Sequence, residues 1–240
     1  MTGKLNITAG TRLSEAVSEN PFLLLLLEHL EISLPLQEKT LEQVASENGI
    51  RTDLLLTFVN LYGDPGHSVD LLFTGAEVPA IIRYLRNSHR FYSDEVYPGI
   101  TEFISRMNRD GESDEAAMIE RFFTEYLTEV RNHFDYEEQT VFPYIFHLHD
   151  RVRGIEQFQG SNDYSVAEYR DHHDDIEEKL DDLRNLLIEY LPVKEGQQVR
   201  RRLLFKLHEL EHDLKIHSRI EEQILIPLVA CMEARLKESL

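Results

Sequence analysis

The sequence predicts an all-α protein, an up-down antiparallel four-helix bundle preceded by a small helical N-terminal domain. Three observations carry this. Four long stretches after residue 76 place apolar side chains at the i, i+3, i+4, i+7 spacing of one helix face. No segment alternates apolar and polar residues as a half-buried strand does. The densest group of chain breakers, Gly63-Asp64-Pro65-Gly66, separates the long stretches from a region of short helical patterns.

Residues 1–64 read as the small domain. Pro21 suits the first position of a helix over Phe22–His29, because its missing N–H is one that a helix start leaves unbonded anyway. Thr40 is placed to cap Leu41–Glu47, with Gly49 closing that helix. Thr52 is placed to cap Asp53–Tyr62. Residues 65–75 lack a clear period and read as a linker, and 76–240 as the bundle. Its first helix, about Val78–Met107, carries Ile82, Leu85, Tyr92, Val96, Ile100 and Phe103 on one stripe and breaks at Asn108–Gly111. The second, about Asp114–Leu148, carries Phe123, Tyr126, Val130, Val141 and Ile145. A loop with Gly154 and Gly160 leads to the third, about Ser165–Leu191, with Tyr169, Ile176, Leu180, Leu183 and Leu187 in phase. Pro192 and Gly196 precede the fourth, about Gln197–Lys237. Connections this short make antiparallel neighbours of successive helices.

A chain of 240 residues has enough length for a substantial core. Its 44 Asp and Glu against 25 Lys and Arg give a formal net charge of −19. That sign excludes nucleic-acid binding by phosphate neutralisation and disfavours docking on an anionic membrane. The one cysteine, Cys231, excludes an internal disulfide and a cysteine-built zinc site. Met1–Arg12 lacks the apolar core of a signal peptide, and the longest apolar run, Phe22–Leu27, is too short to span a bilayer. The expected location is the cytoplasm. Leu23–Leu27 puts an apolar side chain on every face of a short helix, so part of it should need cover from the bundle, a second copy or a client protein.

Eleven histidines stand out. Two segments nearly repeat, His133-Phe134-Asp135-Tyr136-Glu137-Glu138-Gln139-Thr140-Val141-Phe142-Pro143 and His217-Ser218-Arg219-Ile220-Glu221-Glu222-Gln223-Ile224-Leu225-Ile226-Pro227. Both read H-x-x-x-E-E-Q-x-x-x-P, 84 residues apart (133 to 217). Histidine and first glutamate lie one turn apart on the apolar face, flanked by Val130 and Val141 in one copy and by Leu214, Ile224 and Leu228 in the other. The other two long helices each carry one histidine in phase with the stripe, His89 and His173, again 84 apart. The pattern is a duplicated helical hairpin, each half supplying a lone inward histidine and an inward His-x-x-x-Glu.

Two carboxylates and four imidazoles among aliphatic side chains are costly to bury unless the charge is compensated, and a dinuclear metal centre compensates it directly. Any one of these histidines alone reads as an ordinary core residue. The six together, with one common offset, predict metal ligation by His89, His133, Glu137, His173, His217 and Glu221. Di-metal bundles commonly use four Glu and two His; this set is richer in His. Imidazole and carboxylate without thiolate suit two iron ions, with manganese or zinc possible. Two histidines per ion, both glutamates bridging and one bridging oxygen leave each ion five-coordinate, with room for a small ligand. His172 and His212 are second-choice ligands, and His29, His67, His147, His149 and His208 read as solvated. Tyr84, Tyr92, Tyr126 and Tyr144 read as core residues, one of which could support a ligand histidine.

On these residues the chain resembles the hemerythrin-like (HHE cation-binding) proteins, and more closely the iron–sulfur cluster repair di-iron (repair-of-iron-centres) proteins. The two His-x-x-x-Glu-Glu-Gln-x-x-x-Pro elements resemble that family's second and fourth bundle helices, and His89 and His173 its lone histidines on the first and third. The resemblance covers about residues 76–236. It implies two irons bridged by oxo and carboxylate groups at the six positions, and a role in repairing or protecting iron–sulfur clusters under nitrosative or oxidative stress, by supplying iron or by reacting with nitric oxide. The implied partners are O2, NO or peroxide and an iron–sulfur client protein, with a homo-oligomer through the N-terminal domain as a further possibility. Residues 22–30 and Lys39-Thr40-Leu41-Glu42-Gln43-Val44 resemble the family's accessory domain, but Ile32-Ser33-Leu34-Pro35-Leu36-Gln37-Glu38 stands where members usually carry adjacent cysteines. Thiol chemistry is therefore not expected of this domain. The same ligands also suit a reductase of NO or peroxide, or a sensor of metal or diatomic gas, and the sequence does not choose among these.

Overall fold

The computed structural model describes residues 7–70, 72, 74–109, 114–155, 164–171, 176–189 and 197–238. The fold is an all-α helical bundle; among the described residues the only extended pairing is an isolated antiparallel bridge between Arg12 and Thr40. Four short helices come first: α1 (Leu13–Glu19), α2 (Leu23–His29), α3 (Leu41–Glu47) and α4 (Thr52–Gly63). The predicted Thr40 cap is present as a reciprocal box. Gln43 N–H donates to Thr40 Oγ1 (3.3 Å) and Thr40 N–H donates to Gln43 Oε1 (2.9 Å). Gly49, at φ +65°, lets the chain turn back so that Ile50 N–H reaches the Ala45 carbonyl at 2.9 Å. Two starts differ from the sequence reading. Pro21 and Phe22 sit in the turn before α2, and α4 starts at Thr52 itself with Arg51 as its cap. Arg51 takes that place because its guanidinium is tied to Asp53, to the Leu72 carbonyl (3.0 Å) and to the buried Glu77.

The four long helical stretches follow. The first runs through α5 (Val78–Phe91), a π turn over Tyr92–Val96, and α6 (Tyr97–Arg109). The second joins α7 (Asp114–Tyr136), a π turn over Glu137–Val141, and α8 (Phe142–Val152). The third comprises α9 (Val166–Asp171) and α10 (Ile176–Glu189), and the fourth α11 (Gln197–Ile220), a π turn over Glu221–Leu225, and α12 (Ile226–Glu238). The breakers Gly111, Gly160, Pro192 and Gly196 lie outside the described residues. A π turn inserts one residue into the helical repeat, so it shifts which positions face inward. After the turn at 92–96 the buried positions run Tyr92, Val96, Ile100 and Ile104, and Phe103, expected on the stripe, is only half buried.

By packing, the chain divides into two compact units. One comprises Met1–Ser88, Thr140–His172 and Ile216–Leu240. In it Leu26, Leu30, Leu54 and Phe58 are buried among the short helices, α8 and α9 pack on α12, and Ile145, Leu148, Val229 and Met232 of α8 and α12 are buried. Four of the five leucines of Leu23–Leu27 find cover inside this unit, leaving Leu24 exposed. Its polar links are specific: Tyr62 and Tyr84 share a 2.9 Å hydrogen bond between hydroxyls, Asn87 donates to the His29 carbonyl at 2.8 Å, and Arg219 Nε donates to the Pro65 carbonyl at 2.6 Å. The other unit comprises His89–Gln139 and His173–Lys215. There α6, α7, α10 and α11 bury Ile100, Phe123, Val130, Leu183, Leu187, Leu207 and Leu214.

Glu211 of this second unit pairs with Arg184 and Lys215. Burial alone would raise its pKa, but hydrogen bonds from Lys215 and Arg184 outweigh that and hold the carboxyl below its ordinary value. A carboxyl depressed in the folded state stabilises the fold above its unfolded pKa, here about 4.5, and loses that contribution as pH falls through the folded value. Glu211→Gln should therefore cost about 1–3 kcal/mol at neutral pH. In urea titrations repeated at decreasing pH, its deficit relative to wild type should shrink below about pH 4.5.

Candidate metal centre

Three of the predicted ligands that the structure describes belong to the second unit. His89, near the end of α5, and His133, near the end of α7, are buried, and Glu137 opens the π turn that follows α7. His89 Nε2 lies 3.2 Å from Glu137 Oε2, and His133 Nε2 lies 3.6 Å from Glu137 Oε1. The other ring nitrogen of His89 is 3.3 Å from Glu138 Oε1. Phe134 stacks on the His89 ring with centroids 4.1 Å apart and sets its plane. Behind this, Tyr92 donates to Oδ2 of the fully buried Asp213 at 2.8 Å.

The repeat in the first unit has the same local build. His217 lies in the last turn of α11, Glu221 opens the next π turn, and His217 Nε2 lies 3.4 Å from Glu221 Oε1. His217 Nδ1 is 2.8 Å from Ser88 Oγ, and Tyr169 donates its hydroxyl to Glu221 Oε1 at 3.1 Å. Both glutamates are shut off from solvent, at 0% and 1% exposure. That matters because a carboxylate so placed needs compensating positive charge or hydrogen bonds.

Four of the predicted residues form a His/Glu cluster. His89, Glu137, His217 and Glu221 each offer one ligand atom, and these atoms lie within 4.8 Å of one another. His133 touches the cluster through Glu137, and His173, like its neighbour His172, lies outside the described residues. The donor chemistry fits a hard-to-borderline cation: imidazole nitrogens and carboxylate oxygens converge in an apolar setting, with no thiolate among them.

Some expectations need correction. His29 and His149, read as solvated, are buried. His29 packs edge-on against Tyr84 with centroids 5.2 Å apart, and His149 Nδ1 lies 3.1 Å from Asp150 Oδ1. His29 lay outside the expected bundle and His149 past Pro143 at a helix end, where burial is decided by what packs over it. His208 is exposed, whereas His67, His147 and His212 are half buried. Of the tyrosines, Tyr92 reaches Asp213, and Tyr144 donates to Glu233 at 2.8 Å; burial, then Glu233, pushes its hydroxyl above the ordinary range. The tyrosine that reaches a predicted ligand is Tyr169, read only as core. Ser88 and Glu138 were also missed. Their signal was adjacency: Ser88 precedes His89, and Glu138 is the second Glu of the repeated motif.

The family model described as hemerythrin HHE cation binding domain matches residues 81–229. The chain is also similar to a curated protein of Staphylococcus haemolyticus, "Iron-sulfur cluster repair protein ScdA", at 22% identity over 151 residues, 62% of this chain. The chain spans 66% of that relative's length. In metal analyses of purified variants, His133→Ala and His217→Ala should lower bound metal sharply, while His208→Ala should leave it unchanged. On the third helix, His173→Ala should strip metal and His172→Ala should spare it; the reverse would show that the helical phase assigned there is off by one.

Proposed function

The chain belongs to the hemerythrin HHE cation-binding domain family, and on that premise we propose that it is a non-haem di-iron protein that serves iron–sulfur cluster repair. The observation that carries this reading is the buried His89–Glu137–His217–Glu221 cluster. His133 and His173 would complete a set of four histidines and two glutamates to hold the ions. The repair role is supported by the similarity to the Staphylococcus haemolyticus protein named for iron–sulfur cluster repair. When bound, the iron pair supplies Lewis-acid and one-electron chemistry toward O2, NO or peroxide, and a reserve of iron for a damaged cluster.

The protein's own part is to hold and shield. Glu137 and Glu221 would supply the negative charge that holds cations, and the hydroxyl of Tyr169 orients Glu221. Val130 and Val141 beside one motif, and Leu214, Ile224 and Leu228 beside the other, are fully buried and keep bulk water from the donors. Residues 1–64 serve as an accessory module, 65–75 as its connection and 76–240 as the metal-binding bundle. With Ser33, Leu34, Pro35 and Leu36 in place of thiols, the accessory module works by contact with a client or a second copy. No described helix is long and apolar enough to cross a membrane, and a cytoplasmic setting suits a client that carries iron–sulfur clusters.

A client enzyme whose [4Fe–4S] cluster has been damaged by NO tests the role. Iron-loaded protein should restore cluster absorbance and client activity, and His217→Ala protein should not. Failure to restore a client while the wild type keeps its full iron would leave a metal protein with a different use. Metal should also stabilise the fold, because a ligand bound only by the native state raises the melting temperature by mass action. Equal melting of metal-free and iron-loaded protein would contradict a buried site.

A further inference from the structure

Ser88 sits one residue before His89 on α5, yet its hydroxyl serves a different histidine. Ser88 Oγ is 2.8 Å from His217 Nδ1, and both side chains are buried within the same unit. The same oxygen donates to the Leu85 carbonyl one helical turn back, also at 2.8 Å. A serine hydroxyl has one hydrogen and two acceptor lone pairs. With the hydrogen spent on Leu85, the oxygen can only accept from the imidazole, so Nδ1 carries the ring hydrogen. The lone pair of neutral His217 then lies on Nε2, the atom that faces Glu221 Oε1 at 3.4 Å.

We propose that Ser88 is a positioning residue that holds His217 in the Nδ1–H tautomer and thereby selects Nε2 as its metal-binding nitrogen. The selection rests on the metal-centre reading; the tautomer does not. The Tyr84 ring lies nearby, tilted, with centroids 6.5 Å apart. Ser88 is fully enclosed, so a serine-to-alanine change removes the acceptor without exposing the site to bulk water. The Nδ1–H is then left without its partner, and the ring loses the contact that fixes both its orientation and its tautomer. Hydroxyl groups of this kind behind a ligand histidine are worth about 10- to 100-fold in metal affinity.

Long-range 1H–15N correlation spectra of the metal-free full chain read the tautomer directly, with His217 assigned by its loss in His217→Ala. Wild type should show the Nδ1–H pattern. Ser88→Ala should move His217 toward the Nε2–H form and weaken Co2+ binding by about 10- to 100-fold. Ser88→Thr, which keeps the hydroxyl, should recover both. An Nε2–H pattern in wild type would overturn the proposal without any variant having to fold, as would a folded Ser88→Ala protein with unchanged tautomer and Co2+ affinity. Wild type with the Nδ1–H pattern but no uptake of Co2+ would instead overturn the metal-centre reading and leave the tautomer assignment standing.

Discussion

The constraint on which the arrangement depends is the burial of charge. Glu137 and Glu221 are almost wholly removed from solvent, and His89, His133 and His217 are buried beside them. Two carboxylates in an apolar setting are tolerable when ionised only against a nearby positive charge or a full set of hydrogen bonds. The four cluster residues offer donor atoms of the kind that hold a cation, and a bound cation would offset the repulsion between the carboxylates. Everything around them serves to keep those donors in place. Phe134 sets the plane of His89, Tyr169 occupies one oxygen of Glu221, and Ser88 holds His217.

Three π turns stand at or beside these positions. Those over Glu137–Val141 and Glu221–Leu225 each begin at the glutamate one turn after a histidine, and the third begins three residues after His89. A π turn is less favourable than continued α-helix and tends to persist where it serves a site. Here it relaxes the backbone just where histidine and glutamate must both point inward, while the flanking Pro143 and Pro227 allow the helix to resume. The short N-terminal helices belong to the same compact unit as His217 and Glu221. Through Tyr62, His29 and Asn87 they are tied to α5 within a turn or so of Ser88. The short N-terminal helices, which carry no cysteine, thus reach the neighbourhood of His217 through packing.

Much of this was legible in the sequence, and the reason is periodicity. The all-α class followed from apolar spacing, and a repeat offset of 84 residues (133 to 217) singled out the candidate ligands, among them His89, Glu137, His217 and Glu221 of the His/Glu cluster. Supporting residues were harder to see. Ser88 and Tyr169 act across helices, so no spacing along the chain points from them to His217 or Glu221. Ile104 replaces Phe103 on the buried face because a π turn, which sequence patterns do not announce, moves the register by one. His29 and His149 show the same limit: at a helix end, burial depends on the neighbour that covers it.

The central claim is that the buried donors exist to hold two cations. Elemental analysis of the full chain, purified anaerobically without added metal, tests it most directly when combined with Mössbauer spectroscopy of 57Fe-grown protein. Two irons per chain in nitrogen and oxygen coordination are expected, lost together when Glu137 and Glu221 are both changed to alanine. A wild-type protein that is folded and free of metal, or one whose iron survives that double change, would contradict it.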